Sequence, residues 1–192
     1  MPELILASTS PYRRSLLERL GIAFTAVPPG TAEETVPGEL PPDRALRLSI
    51  AKAQAIASHR PDAVVIGSDQ VAAIGSKILD KPGDGARCRA QLTAASGSSA
   101  RFYTGCAVIG AQAGIRMVHL DTTTVFFRSL TGPEIERYVE RERPLDCAGG
   151  FRAEGLGISL FESIDTHDPT AIIGLPLIWL ASALRRAGFV LP

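Results

Sequence analysis

Histidine and cysteine are too few and too scattered in this chain to build a metal cage or a disulfide framework. Cys88, Cys106 and Cys147 are odd in number and contain no CxxC pair. That pattern suits a reducing cytoplasm and argues against zinc. His59, His119 and His167 stand alone, which argues against an imidazole-based metal site. An excess of either charge is also missing, because 20 Lys and Arg offset 20 Asp and Glu. Nothing therefore draws the chain as a whole to nucleic acid or to a membrane surface. A small anionic ligand needs only a local basic cluster, and the balance leaves that open. No apolar run approaches the ~20 residues that span a bilayer. Met1-Pro2-Glu3 puts no basic region ahead of Leu4-Ile5-Leu6, unlike a signal peptide. There is no GxxxxGK[ST] P-loop, no internal repeat and no low-complexity tail.

What is present is an ordinary globular composition, with 45% hydrophobic and 21% charged residues in 192. This length supports one substantial core or two small lobes. Leu4 to Ala7 reads as a short buried strand. Ser10 and Pro11 then open a helix through Leu16, Leu17 and Leu20, ending at Gly21. Tyr12, Arg13 and Arg14 sit in its first turns. A strand, the hydroxyls of Ser8-Thr9-Ser10 and a basic helix N-terminus form a phosphate cradle, or else the arginines are solvated surface. Phe24 to Val27 is a second strand. A polar loop follows with Glu33 and Glu34, kept irregular by Pro37, Pro41 and Pro42. These two acids are solvated unless another carboxylate converges on them to hold a divalent cation. Asp43 to His59 is helical, and Lys52 shares its apolar face with Leu48 and Ile56. Such a lysine either snorkels along the core edge or binds a ligand.

The central stretch is Ile66-Gly67-Ser68-Asp69-Gln70-Val71. The run Ala63 to Ile66 reads as a strand buried on both faces that stops at Gly67. Ser68, Asp69 and Gln70 then lie just past its end, where open α/β sheets place ligands, or they form a Ser-Asp turn. Val71–Ile74 and Lys77–Leu79 flank Gly75-Ser76 as a hairpin, and Asp80-Lys81-Pro82-Gly83 is a turn. A helix covers residues 84–95, and long strands cover 101–109 and 115–127. Thr131-Gly132-Pro133-Glu134 is a capping box for a helix that stops before Pro144. Cys147 to Gly155 is a glycine-laced loop with Arg152 and Glu154. A strand over 158–164 and a helix over 176–186 complete the chain. In that helix Trp179 reads as packing rather than base stacking.

These segments together resemble the Maf family of nucleoside triphosphate pyrophosphatases. Leu6-Ala7-Ser8-Thr9-Ser10-Pro11-Tyr12-Arg13-Arg14 is similar to the family's opening signature. Glu33-Glu34-Thr35, Lys52-Ala53, Gly67-Ser68-Asp69-Gln70-Val71, Lys81-Pro82-Gly83 and Tyr103-Thr104-Gly105 match later blocks in order. Ala148-Gly149-Gly150-Phe151, Glu154-Gly155 and Gly174-Leu175-Pro176-Leu177 complete the set. The resemblance spans nearly the whole chain, so residues 1–192 are expected to form a single domain of this type. It implies an α/β, Maf/ITPase-like fold, a twisted mixed sheet with flanking helices in two lobes around a central cleft.

The resemblance also implies an activity. Within the family the chain looks most like the YceF-type branch, which hydrolyses 7-methyl-GTP to 7-methyl-GMP and pyrophosphate. The positions that set specificity fall on Tyr12, Gln70 and Glu154. An aromatic face stacked on the cationic methylated guanine gains about 0.5–2 kcal/mol of cation–π attraction. A carboxylate accepts hydrogen bonds from the guanine N1–H and amine. By the same resemblance Asp69 is the proton acceptor, and Ser8, Arg13, Lys52 and Lys81 grip the phosphates. Glu34 with Asp69 holds Mg²⁺ or Mn²⁺. Three departures stand out: Glu33-Glu34 replaces an Asp-Glu pair, Arg152 stands where Lys is usual, and Tyr12 replaces the commoner Trp. Implied partners are a nucleoside triphosphate and a second copy in a homodimer, with no nucleic acid and no membrane. The alternatives are a pyrophosphatase for other nucleotides, of the dTTP and UTP type, and a nucleotide-binding regulator of cell division or septum formation.

Overall fold

Short apolar strands alternating with helices early in the chain favour parallel βαβ units, and later long strands favour antiparallel pairing. The computed structural model, which describes residues 2–192, has both. Its strands are β1 (Leu4–Ala7), β2 (Thr25–Val27), β3 (Val64–Ile74), β4 (Lys77–Leu79), β5 (Ser99–Gly110), β6 (Ile115–Phe127) and β7 (Phe161–Asp165). Its helices are α1 (Pro11–Glu18), α2 (Pro41–Ala57), α3 (Gly85–Ala95), α4 (Gly132–Glu142) and α5 (Leu177–Arg186). The strands hydrogen-bond in the order β2-β1-β3-β5-β6-β7, with β4 paired to β3. β1 is parallel to β2 and β3, whereas β4 and β7 run antiparallel to their partners. This is the mixed, twisted α/β sheet that the sequence led us to expect.

The chain divides into two compact units. The first comprises residues up to Gln70, then Thr104–Asp121 and Asp168–Pro192. Alternation along its strands sends side chains to two different cores. Leu4, Leu6, Val64 and Ile66 pack with Leu16 and Leu17 of α1 and Leu180 and Leu184 of α5. Ile5, Ala7 and Val65 face Ala53 and Ala57 of α2. Pro11 begins α1, and the Ser10 side chain accepts from the Arg13 N–H as its cap. Gly21 follows that helix with φ +66°, where a side chain would be strained.

The second unit comprises Val71–Tyr103 and Thr122–His167. The expected hairpin joins β3 to β4 with Ile74 opposite Lys77. Gly75, at φ +57°, supplies the positive dihedral that such a two-residue turn requires. Asp84 caps α3 by accepting from the Arg87 N–H at 2.8 Å. The capping box at Thr131 and Glu134 opens α4, which ends at Arg143 in the left-handed region. Phe102, Phe127, Phe151 and Phe161 pack edge to face, with centroids 5.1, 5.6, 5.3 and 4.8 Å apart in the four contacts between them. That geometry aligns ring edges with neighbouring faces.

Three expectations are corrected. The strand at Ala63–Ile66 does not stop at Gly67. β3 runs unbroken to Ile74, with Ser68, Asp69 and Gln70 inside it, because each polar side chain finds a partner elsewhere in the fold. Pro41 and Pro42 do not extend the loop; they start α2, since the first helical turn has no use for an amide hydrogen. Residues 156–160 form a 3-10 segment, so the last strand begins only at Phe161.

Candidate functional site

A glycine decides the site's geometry. Val65, Gly67 and Asp69 share the face of β3 that α2 covers. A Cβ on Gly67 would lie 2.6 Å from Ala53 N and closer still to Ser49 O, so the bare glycine lets the α2 backbone touch the strand. Gly105 does the same on β5, against the α2 backbone at Ala45 and Leu46. That approach delivers Lys52 of α2 to Asp69, two residues beyond Gly67. The Lys52 Nζ is 2.5 Å from Asp69 Oδ1 and 2.6 Å from Glu33 Oε1. The lysine and aspartate side chains are only 7% and 10% exposed, while Glu33 is 55% exposed. One buried ammonium thus joins a strand carboxylate to a carboxylate from the loop. Snorkelling does not describe this lysine, whose ammonium is itself buried and ends on the buried Asp69 carboxylate.

The opposite face of β3 carries Ser68 and Gln70. The buried Ser68 hydroxyl lies 2.9 Å from Gly105 O and 2.8 Å from Gly174 O. Arg13 Nε donates to the same Gly174 carbonyl at 3.1 Å. Burial pulls the Arg13 guanidinium below its ordinary pKa, and negative charge at Asp69 and Glu33 opposes that pull. Ser8 is buried at the end of β1, and its hydroxyl accepts from the Ser10 N–H at 3.1 Å. Tyr12, next in α1, is partly exposed. The Gln70 Nε2 donates to Thr104 Oγ1, Ala171 O and Ile172 O, each at 3.0 Å. Thr104 in turn donates to Ala171 O at 2.9 Å. These acceptors fix the orientation of the amide.

Sequence reasoning missed the residues that hold this face in place. Asp168 Oδ1 accepts from both the N–H and the hydroxyl of Thr170, and its Oδ2 accepts from the Ile178 N–H at the start of α5. The Thr170 hydroxyl oxygen also lies 2.7 Å from Leu175 O and accepts from the Leu177 N–H. The loop offering Ala171, Ile172 and Gly174 carbonyls is therefore built on Asp168 and Thr170. The available signal was Asp168-Pro169-Thr170 ahead of a helix, which reads as a turn and helix start.

In the second unit, Lys81 and Glu154 are both exposed. Glu154 sits on a short loop held on each side. The Arg152 N–H donates to the Tyr138 hydroxyl at 3.1 Å, and Arg152 Nη1 donates to Glu142 Oε1 at 3.2 Å. The Leu156 N–H donates to Glu142 Oε2 at 2.8 Å. Burial raises the Tyr138 pKa, so its hydroxyl keeps its proton.

Residues 3–187 match the family model described as Maf-like protein. The chain belongs to that family. A 7-methyl-GTP pyrophosphatase of Xanthomonas axonopodis pv. citri is 53% identical over 193 residues, covering 100% of both chains. Proteins of the same name from Aromatoleum aromaticum and Hahella chejuensis are 49% and 46% identical. They cover 99% and 100% of this chain, and 98% and 96% of their own lengths. A solved HAM1 protein from Coxiella burnetii shares the fold at a TM-score of 0.54 and 14% identity, covering 97% of this chain and 100% of its own. The Maf and ITPase-like expectation for the fold agrees with both findings.

For this Maf chain the acidic loop needs separate description. Glu33 reaches Lys52, whereas Glu34 is exposed and its backbone carbonyl accepts from Arg47 Nη2 at 3.1 Å. Among the described residues no group of three or more His, Cys, Asp or Glu side chains converges. Mg²⁺-type ions need only one or two carboxylates when waters and substrate phosphates complete the shell. Asp69 and Glu33 offer two hard carboxylate donors, both engaged on the Lys52 ammonium, and donors of that chemistry suit such an ion. Among the described residues no helix is long and apolar enough to cross a membrane.

Proposed function

We propose that this chain is a nucleoside triphosphate pyrophosphatase that converts 7-methyl-GTP to 7-methyl-GMP and pyrophosphate. The observation that carries this reading is the buried Lys52–Asp69 pair at 2.5 Å with Glu33 converging on the same ammonium. Full-length relatives that bear the pyrophosphatase name give it its substrate. Asp69 accepts a proton from the water that attacks the α-phosphorus, the bond to the bridging oxygen breaks, and pyrophosphate leaves. A strand interior holds this carboxylate in one place, as a general base requires. Lys52, Arg13, Ser8 and Lys81 bind phosphate oxygens, so their charges stabilise the negative charge that builds up on the leaving group.

A divalent cation, Mg²⁺ or Mn²⁺, would be held by Asp69 and Glu34, with Glu33 as the nearer acid of the pair. When bound it neutralises charge on the triphosphate. Tyr12 stacks on the methylated base and Glu154 accepts from its N1–H and amine. Gln70, whose amide nitrogen is committed to Thr104 and the 171–172 carbonyls, serves specificity by fixing that loop. The chain acts as one domain in the cytoplasm, as a homodimer, on a small-molecule nucleotide and without nucleic acid.

Pyrophosphate release tests this across 7-methyl-GTP, GTP, dTTP, UTP and CTP with Mg²⁺ and Mn²⁺. Preference for 7-methyl-GTP is expected. Asp69→Asn should lower kcat by about 10²–10⁴-fold, the usual contribution of a positioned base, with an unchanged circular dichroism spectrum. Preference for dTTP or UTP would overturn the roles of Tyr12, Gln70 and Glu154, and retained turnover in Asp69→Asn would overturn the role of the base.

A further inference from the structure

Glu154 is exposed on the loop that follows Arg152, and nothing about its own side chain explains how it would be held toward a base. The loop's anchorage lies elsewhere. Glu142, the last residue of α4, has a side chain only 11% exposed. Its two carboxylate oxygens divide between residues on opposite sides of Glu154: Oε1 takes the Arg152 guanidinium at 3.2 Å and Oε2 takes the Leu156 N–H at 2.8 Å. A Cβ on Gly155 would lie 2.7 and 2.9 Å from the two oxygens, so a side chain there would push this carboxylate out of its place against the loop. The Tyr138 hydroxyl, one turn earlier on α4, accepts from the Arg152 N–H. A Cβ on Gly157 would likewise clash with the Arg152 backbone. Residues 152–157 thus form a tight loop fastened at both ends to one helix terminus, with Glu154 at its middle.

We infer that Glu142 is a positioning residue for base recognition: its carboxylate clamps the 152–156 loop and thereby fixes Glu154. This rests on the assignment of Glu154 to the base. The physical reason is entropic. A short loop with free ends samples many backbone states, and a hydrogen bond from its carboxylate to the base would have to order them at each binding event. A charge-assisted anchor on both flanks makes that ordering part of folding. Glu142→Gln keeps an acceptor for one flank and the side-chain volume, whereas Glu142→Ala removes both anchors.

The test compares kcat and KM for 7-methyl-GTP and GTP in wild type, Glu142→Gln and Glu142→Ala, with hydrogen exchange read at the Leu156 amide. Glu142→Ala should lose roughly tenfold of the preference for 7-methyl-GTP, because a carboxylate held at the base also pairs with the positive charge that only the methylated guanine carries. The loss should fall mainly in KM, and the Leu156 amide should exchange faster. Glu142→Gln should restore most of both. A preference unchanged in Glu142→Ala overturns the inference, as does a loss of preference with Leu156 still protected. A wild type with no preference for 7-methyl-GTP overturns the base assignment itself, and the specificity role of Glu142 falls with it. Loss of activity without any exchange difference at Leu156 assigns Glu142 to the stability of α4 and also overturns the inference.

Discussion

Replacing Lys52 with Met removes the ammonium and keeps the length of the side chain. The structure sets the size of the effect. Asp69 is left with its carboxylate nine-tenths buried and without the partner 2.5 Å away. Breaking a buried pair from one side costs roughly 3–5 kcal/mol, most of it the desolvation of the charge left behind. Asp69 keeps a tenth of its surface in water, which argues for the lower end, about 3 kcal/mol. For a chain of 192 residues each kcal/mol shifts the melting midpoint by about 2–4 °C, giving a fall of roughly 6–12 °C. The Glu33 contact adds little to this sum, because that side chain is more than half exposed and its pairing is screened. Urea denaturation of the nucleotide-free protein is the assay, run on Lys52→Met, Asp69→Asn and the double variant. The double variant leaves no unpaired charge of the Lys52–Asp69 pair and should recover more than half of the loss, a coupling within the range seen for contacting residues. If Lys52→Met costs less than about 1 kcal/mol, or the double variant is no better than the single, the pair is not the buried, mutually dependent one described here.

Two further predictions come from backbone packing and from a helix start. Gly67→Ala should destabilise by about 3 kcal/mol, the upper end for overpacking, because the new methyl meets α2 backbone that cannot rotate away; an unchanged thermal midpoint would refute the close approach. Glu134 is held at a pKa of about 2, first by the Thr131 backbone hydrogen bond, then by the Thr131 side chain and Arg128. A depressed carboxylate pKa stabilises above the ordinary carboxylate range and loses that contribution as pH falls toward 2. The midpoint difference between wild type and Glu134→Gln should therefore be constant above about pH 5 and close between there and pH 2. A difference that persists undiminished at pH 2 would exclude the capping box as its source.

Most of the strands, the helix starts at Ser10 and Thr131, and the β3–β4 hairpin were legible because they are local. A cap needs an acceptor three residues from a free amide, and a turn needs a glycine with positive φ. The ordered Maf-like blocks brought Ser8, Arg13, Lys52 and Asp69 into one list without saying how they meet. Three facts were not legible because their causes are distant in sequence. Glu33 reaches Lys52 from a loop 19 residues earlier in the chain. Ser68 is satisfied by carbonyls at Gly105 and Gly174, and Asp168 builds the loop that offers one of them. Pro41 and Pro42 read as part of the irregular loop, and only the packing of α2 on β3 makes them the first residues of a helix.

The misplaced strand end is the instructive case. Taken with period two, Val64, Ile66, Ser68 and Gln70 form one face of β3, and Val65, Gly67 and Asp69 form the other. Both faces change from apolar to polar at the same level. A strand that simply ended would show this, but so would a strand crossing the border of a core while continuing. The second case requires a partner for every buried polar atom, since an unpaired one costs about 1–3 kcal/mol. Here the partners are Lys52 on one face, and Gly105 O, Gly174 O, Thr104 and the 171–172 carbonyls on the other. Satisfaction from both sides is what lets the strand continue into Val71–Ile74, which belong to the second unit. It also explains why a potential catalytic carboxylate can sit in a strand interior: Asp69 is fixed by backbone hydrogen bonds along β3 and by one ammonium, with no loop entropy to overcome before it can act on a proton.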